Sequence, residues 1–306
     1  MAAPMDAAQL TPAPAEAAAL GAVRQVLADY ATLTKPKVQS LLLFTTVAAM
    51  YVAGDPSAGL VLATVIGGYM SAGGAGAINH WYDRDIDLQM GRTANRPVAS
   101  GRVSGRAAVT FGLTLGVLAM LWLSLLVNPL AAALSLTGYV GYAVGYTMIL
   151  KRRTWQNIVW GGAAGAVPPL VGWAAVEGSL SGLAIFLFAI VFFWTPPHFW
   201  ALSLLMKDEY AKVGVPMLPV VRGEDETRKQ ILLYSVLLYA VSQLPFSAHG
   251  FGLLYLVVSL VLNGVLIGLA VQLRRRKDRA SALRLYLYSL VYLAALFAAM
   301  VADVQL

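Results

Sequence analysis

The chain has 306 residues, 59% of them hydrophobic and 12% charged; a soluble domain is nearer half apolar and a quarter charged, and the apolar residues here come in blocks too long for a soluble core. The absence of cysteine excludes a disulfide framework, a thiolate nucleophile, a Cys-ligated metal and a Cys-attached haem. The formal net charge of +7 fits the basic cytoplasmic loops of a membrane protein, and nucleic acid is not expected as a partner.

In chain order, residues 1–22 read as a disordered Ala/Pro-rich tail without the basic start, apolar core and cleavage site of a signal peptide. From about Val23 to Leu33 the pattern is amphipathic and ends at Thr34-Lys35-Pro36, which predicts a short interfacial helix. Residues 23–306 then form one transmembrane domain. About twenty apolar residues cross the hydrocarbon as a helix, and nine segments qualify: Val38–Val52, Leu60–His80, Ala107–Val127, Leu130–Leu150, Ile158–Val176, Leu183–Met206, Ile231–Ser247, Phe251–Leu273 and Leu283–Ala302. The expected fold is all-α, a polytopic membrane protein of about nine transmembrane helices.

All 22 Lys and Arg residues fall on one side of that topology: before span one, and in the loops after spans two, four, six and eight. The other side holds only Asp55, Glu177, His249 and Asp303. A wrong span count would scatter these charges over both faces, so the basic side is read as cytoplasmic, with the N-terminus there too. Most of the acids share that side, in the longer loops, and functional chemistry is expected there.

At the end of span two, Asn79, Asp83 and Asp87 fall at i, i+4 and i+8 within Asn79-His80-Trp81-Tyr82-Asp83-Arg84-Asp85-Ile86-Asp87. At about 100° per residue they form one slowly drifting stripe, while Asp85 points elsewhere. Two carboxylates and an amide at this spacing suit Mg²⁺, which takes one or two carboxylates and completes its shell with water and substrate phosphates. Arg92 and Arg96 follow in the same loop and are placed to grip phosphate oxygens. The plainer alternative is an interfacial ion-pair cluster in which the acids only balance neighbouring arginines.

The string Asn79…Asp83…Asp87 resembles the N-x-x-x-D-x-x-x-D motif of the UbiA superfamily of intramembrane prenyltransferases, and the chain is similar to its haem O synthase branch. That similarity extends through Asp83-Arg84-Asp85-Ile86-Asp87, Met90, Arg92-Thr93, Arg96-Pro97, Leu33-Thr34-Lys35-Pro36, Tyr146-Thr147, Leu150-Lys151-Arg152, Asn157-Ile158-Val159, Pro168-Pro169-Leu170, Pro197-His198-Phe199-Trp200-Ala201-Leu202 and Gly214-Val215-Pro216-Met217-Leu218-Pro219. The resemblance implies a UbiA-type bundle in the bacterial inner membrane, with a cytoplasmic active site that transfers a farnesyl group from farnesyl diphosphate to a vinyl group of haem b, giving haem O. Asn79, Asp83 and Asp87 would hold Mg²⁺–diphosphate, supported by Arg92, Arg96, Tyr146, Lys151 and Arg152.

Near the end of span six stands Pro196-Pro197-His198, and the paired prolines predict a kink or break. His198 by itself reads as a packed histidine; the resemblance makes it a candidate ligand to haem iron or a base near the vinyl group. The superfamily's second acidic motif, D-x-x-x-D, is not intact here. Lys212 stands at the fourth position after Asp208, and Asp208-Glu209-Tyr210 leaves open which carboxylate would assist a second metal. Lys212 is either a diphosphate contact or a solvated loop lysine. Trp155, Trp160, Trp173 and Trp194 either line a ring-sized cavity or anchor the interface. Membrane lipid is an expected partner, as is a haem-modifying enzyme or terminal oxidase assembly that takes the product. The competing functions are a UbiA-type transferase acting on an aromatic acid or chlorin, a transporter with a broken-helix site, and a haem carrier.

Overall fold

A computed structural model describes residues 14–306, which are helical throughout apart from turns and short connections. The first helix, α1, runs Pro14–Leu33 and so begins ahead of the expected amphipathic stretch. Alanine is the best helix former, and the Ala-rich letters after Pro14 carry the helix back into the segment read as tail. Residues 1–13 of that tail lie outside the described residues.

Nine helices among the described residues are long and apolar enough to cross a membrane: α2 (Pro36–Ala53), α3 (Ala58–Tyr82), α5 (Gly105–Leu126), α6 (Pro129–Val140) with its continuation Gly141–Leu150, α7 (Asn157–Glu177), α8 (Gly182–Leu205), α11 (Glu224–Ser247), α12 (Leu253–Arg276) and α13 (Arg279–Val304). They match the nine expected spans. Several outrun their apolar windows at the basic end, because a charged turn such as Glu224-Asp225-Glu226 continues the helix beyond the hydrocarbon. Three short helices decorate the same end: α4 (Arg84–Gln89), α9 (Lys207–Lys212) and α10 (Leu218–Val221).

The spans pack mainly against their neighbours in sequence, α13 returns to α2 to close the bundle, and α7 packs on α2 and α8 on α13 across it. Where α3 crosses α5, a Cβ on Gly74 would sit 2.6 Å from the Gly112 carbonyl oxygen; only glycine permits that approach, the small-residue packing by which membrane helices associate without a hydrophobic drive. The far side is tied by buried polar bonds: Tyr292 OH donates to Asn263 Oδ1 (3.0 Å) and Asn263 Nδ2 to Ser242 Oγ (2.9 Å), linking α13, α12 and α11.

Two local features depart from the sequence expectation. The fourth span changes register halfway: Gly141–Leu150 is π-helical, with Lys151 N donating to Tyr146 O at 2.8 Å. And of the kink or break expected at Pro196-Pro197, α8 shows no break: it runs helical through both. The prolines remove two N–H donors and so free the carbonyls of Phe192 and Phe193, but the turns on either side stay helical.

Candidate active site

The helix of the second span ends at Tyr82, and α4 starts directly at Arg84, so Asp83 is shared by the two; its N–H still bonds Asn79 O at 2.9 Å. Asn79, Asp83 and Asp87 therefore keep a nearly continuous helical path, and all three are buried, Asp83 with 0% exposure. Asp85 points away, as the spacing predicts, with 57% of its side chain exposed and a forked pair with Arg152 at 2.6 and 2.7 Å. That pairing holds the Asp85 carboxyl down at about 2.

Each buried acid has cations brought from elsewhere in the chain. Lys151 Nζ lies 2.5 Å from Asp83 Oδ2, and Arg152 Nη2 lies 3.6 Å from Asp83 Oδ1. Arg96 Nη1 bonds Asp87 Oδ2 at 2.7 Å, and Thr93 Oγ1 donates to the Asp87 carbonyl at 3.0 Å. Asn79 Nδ2 donates to Asp83 Oδ2 (2.8 Å) and Thr147 Oγ1 (3.1 Å), while its Oδ1 accepts from Lys35 Nζ at 2.5 Å. Burying carboxylates at a membrane boundary is costly without such partners. Yet the pairing is incomplete: Asp83 Oδ1 is sealed from solvent and accepts no hydrogen bond. Arg92 is exposed and makes no ion pair among the described residues, although its charge acts on both Lys35 and Tyr210.

Lys35, Tyr142 and Thr147 belong to this network, although none of them was expected at the site. Lys35 caps α2 in the left-handed region (φ 54°), an uncommon conformation for a non-glycine residue. It donates to Tyr142 OH at 3.1 Å as well as to Asn79. Burial, and then the Arg96 charge, pull its ammonium down to about 7. In sequence it stood among the basic residues that orient the chain and in the family-like string Leu33-Thr34-Lys35-Pro36, without a role in the site. Tyr142 and Thr147 would sit about 140° apart on a regular α-helix. The wider π register brings both onto the α3 side, where Tyr142 meets Lys35 and Thr147 meets Asn79. Such π segments are frequent at functional sites. Tyr146, expected at this site, stacks on Tyr142 with ring centroids 5.6 Å apart.

The segment after α8 is brought over the same loop but joins it loosely. Glu209 Oε2 accepts the Gly91 N–H at 3.0 Å, and Tyr210 is buried beneath, its hydroxyl pKa raised by that burial. Asp208 and Lys212 are exposed and make no side-chain hydrogen bond or ion pair among the described residues.

The donor set fits Mg²⁺ in its usual mode. Asp83 offers an oxygen without a hydrogen bond and Asp87 a second carboxylate, but no three His, Asp or Glu side chains converge as a ready-made cage among the described residues. Substrate phosphates would have to complete the shell. Asn79 Oδ1 already accepts from Lys35, which leaves it one lone pair. Below Lys35 and Tyr142 a cavity of about 140 Å³ descends among α2, α3, α6 and α7, walled chiefly by apolar residues such as Leu42, Ala75, Pro168 and Val171.

His198 lies apart from this network, roughly 10 Å short of the end of α8 at about 1.5 Å per residue. Its ring is sandwiched between Trp194 (4.4 Å) and Tyr286 (4.9 Å), and its Nδ1 meets Ser289 Oγ at 2.7 Å. Of the other tryptophans, Trp173 is buried, Trp160 faces outward with 59% exposure, and Trp155 lies under the Arg222 guanidinium at 5.1 Å.

A sequence profile of the UbiA prenyltransferase family matches residues 41–298. A protoheme IX farnesyltransferase of Chloroflexus aurantiacus is 57% identical over 92% of this chain, and one of Thermus thermophilus is 55% identical over 90%; the chain spans about half the length of these two relatives, 48% and 46%. A protoheme IX farnesyltransferase of Rhodopseudomonas palustris is 50% identical over 91% of this chain and 90% of its own length. Among solved structures, a digeranylgeranylglyceryl phosphate synthase superposes with a TM-score of 0.76 at 18% identity, over 92% of this chain and 99% of the other. A UbiA homolog from Archaeoglobus fulgidus bound to GPP and Mg²⁺ gives 0.65 at 17% identity, over 89% and 99%. At these identities the structures establish a shared fold.

Proposed function

The chain belongs to the UbiA prenyltransferase family, and on that premise we propose that it transfers the farnesyl group of farnesyl diphosphate to a vinyl group of haem b, releasing diphosphate and leaving haem O. The observation that carries the reading is the α3 exit, where Asn79, Asp83 and Asp87 are buried together, Asp83 keeps one oxygen without a hydrogen bond, and Lys35, which bonds Asn79, lines an apolar cavity. A cluster serving only to balance surface charge has no need of an unbonded, sealed carboxylate oxygen. The high similarity to proteins named protoheme IX farnesyltransferase supports this choice of substrates within the family.

The acids themselves would repel a diphosphate, so Asp83 and Asp87 act through a divalent ion. Mg²⁺, when bound there with diphosphate, neutralises charge growing on the leaving group. Lys151 and Arg96, now paired to Asp83 and Asp87, lie where their donors can turn to phosphate oxygens as the carboxylates turn to the ion. Arg92 and Arg152 add cationic donors at the rim, and Lys35 adds one beneath. Asn79 keeps Asp83 and Thr147 in place through its amide.

In the reaction the C1–O bond of farnesyl diphosphate breaks and its electron pair leaves with diphosphate. The vinyl π pair forms the new carbon–carbon bond, and water captures the resulting cation and loses a proton, leaving the hydroxyl. The apolar walls around Leu42, Ala75 and Val171 keep the farnesyl cation from bulk water until the acceptor reaches it. The side bearing these residues is the basic one, read as the cytoplasmic face of the bacterial inner membrane.

The test is mass spectrometry of porphyrins from a haem O-deficient host expressing the protein, and from membranes supplied with haem b, farnesyl diphosphate and Mg²⁺. Haem O appears, disappears on chelation and returns with Mg²⁺. An unmodified haem pool in membranes holding correctly inserted protein would overturn the assignment.

A further inference from the structure

Ser289 is fully buried on α13 and meets α8 through both its side chain and its backbone. Its carbonyl accepts the indole N–H of Trp194 at 2.7 Å. Its hydroxyl lies 2.6 Å from the Tyr286 carbonyl, one turn back on its own helix, and 2.7 Å from Nδ1 of His198. A carbonyl oxygen only accepts, so the contact with Tyr286 O requires the single hydroxyl proton of Ser289. The contact with His198 must then run the other way, with Nδ1–H donating to the serine oxygen. A neutral imidazole carries one proton, so Nε2 is left with a lone pair.

The rest of the pocket preserves that state. Trp194 and Tyr286 cover both faces of the ring, at 17° and 28° to its plane, and so fix the direction in which the Nε2 edge points. Among the described residues no carboxylate pairs with the ring, so no counter-charge holds a second proton on it. Nε2 makes no hydrogen bond, and it is not among the sealed polar atoms, so it opens onto accessible space. We infer that Ser289 is a positioning residue: it locks His198 in the Nδ1–H tautomer and aims the Nε2 lone pair at the haem substrate, as an axial donor to its iron. This rests on the haem reading proposed above. A metal-bound histidine usually owes its tautomer to such a partner on its other nitrogen, and losing the partner typically costs about 10–100-fold in metal affinity.

The tautomer can be read directly, without any variant. In ¹⁵N-histidine-labelled protein there are three histidines, and the His198 resonances are those missing from His198→Gln. Protonated Nδ1 and bare Nε2 are expected in the haem-free protein; the reverse pattern would overturn the inference even if every Ser289 variant failed to fold. Where Ser289→Ala folds, titration with ferric haem b followed in the Soret band should show affinity lower by about 10–100-fold, with mixed tautomers at His198. The KM for farnesyl diphosphate should stay unchanged, and Ser289→Thr should recover part of the affinity. Wild-type haem affinity and an intact Nδ1–H signal in Ser289→Ala would refute the positioning role. Unchanged haem affinity and spectrum in His198→Gln would instead refute iron ligation by His198, and the nitrogen resonances would still decide the tautomer.

Discussion

The exits of α3 and α8 both present acids beside basic residues on the same side of the membrane, yet the structure treats them differently. At the α3 exit, Asp83 and Asp87 are buried, Asp83 is matched by Lys151 from the fourth span and Asp87 by Arg96 from the loop after α4, and one oxygen of Asp83 remains without a hydrogen bond. At the α8 exit, Asp208 and Lys212 stand in solvent, and Glu209 is engaged by the Gly91 N–H. Charge of the right type is therefore not enough. A binding site needs the charges desolvated and held by partners that can release them, since only then is their interaction with a ligand strong. The second segment braces the loop carrying Arg92 and Arg96.

The contrast is broken or sharpened first by a pair of substitutions. Asp83→Ala should lower product formation more than about 100-fold, as expected for loss of a group that stabilises the leaving charge, while the protein still elutes as a folded species. Asp208→Ala and Lys212→Ala should each stay within about twofold, like other exposed changes away from a site. Equal losses at Asp83 and Asp208, measured in one farnesyl-transfer assay, would erase the distinction.

A smaller effect is expected at Lys35. Replacing it by methionine keeps much of its apolar stem and removes a charge-assisted donor, so the KM for farnesyl diphosphate should rise roughly 10–100-fold. A KM that does not move would confine Lys35 to holding Asn79. Glu209→Gln is more discriminating, because the amide oxygen can still accept from Gly91. As a brace it should lose only about two- to threefold in kcat/KM; a loss beyond tenfold would show that the carboxylate charge itself serves a second metal.

The smallest effect belongs to the exposed Asp85–Arg152 pair. The folded value of Asp85, about 2, lies below its ordinary 3.8. Its stabilising contribution is thus complete above about 4 and lost as pH falls through about 2. Asp85→Asn should leave turnover at neutral pH nearly unchanged. It should flatten the decline in thermal stability of the detergent-solubilised protein between those two pH values.

How far the letters alone reached differs from element to element. The nine spans were legible because each needs only its own run of apolar residues. The Asn79–Asp83–Asp87 stripe was legible because its members share one helical path. The continuity of α8 was not, since a Pro-Pro pair is disruptive locally and its cost is met by surrounding turns and packing. Lys35 was hidden for another reason: its partners Asn79 and Tyr142 stand 44 and 107 residues away, and in sequence it is one basic residue among many at a membrane boundary.

Solvent decides the first kind of question and packing the second. Whether a segment enters the bilayer follows from transfer free energies of its own side chains, and so from the sequence by itself. Which acids are desolvated, which cation faces which carboxylate, that the fourth span widens so Tyr142 and Thr147 share a face, and which nitrogen of His198 holds the proton all depend on contacts between helices distant in the chain. Those contacts exist only once the bundle has closed.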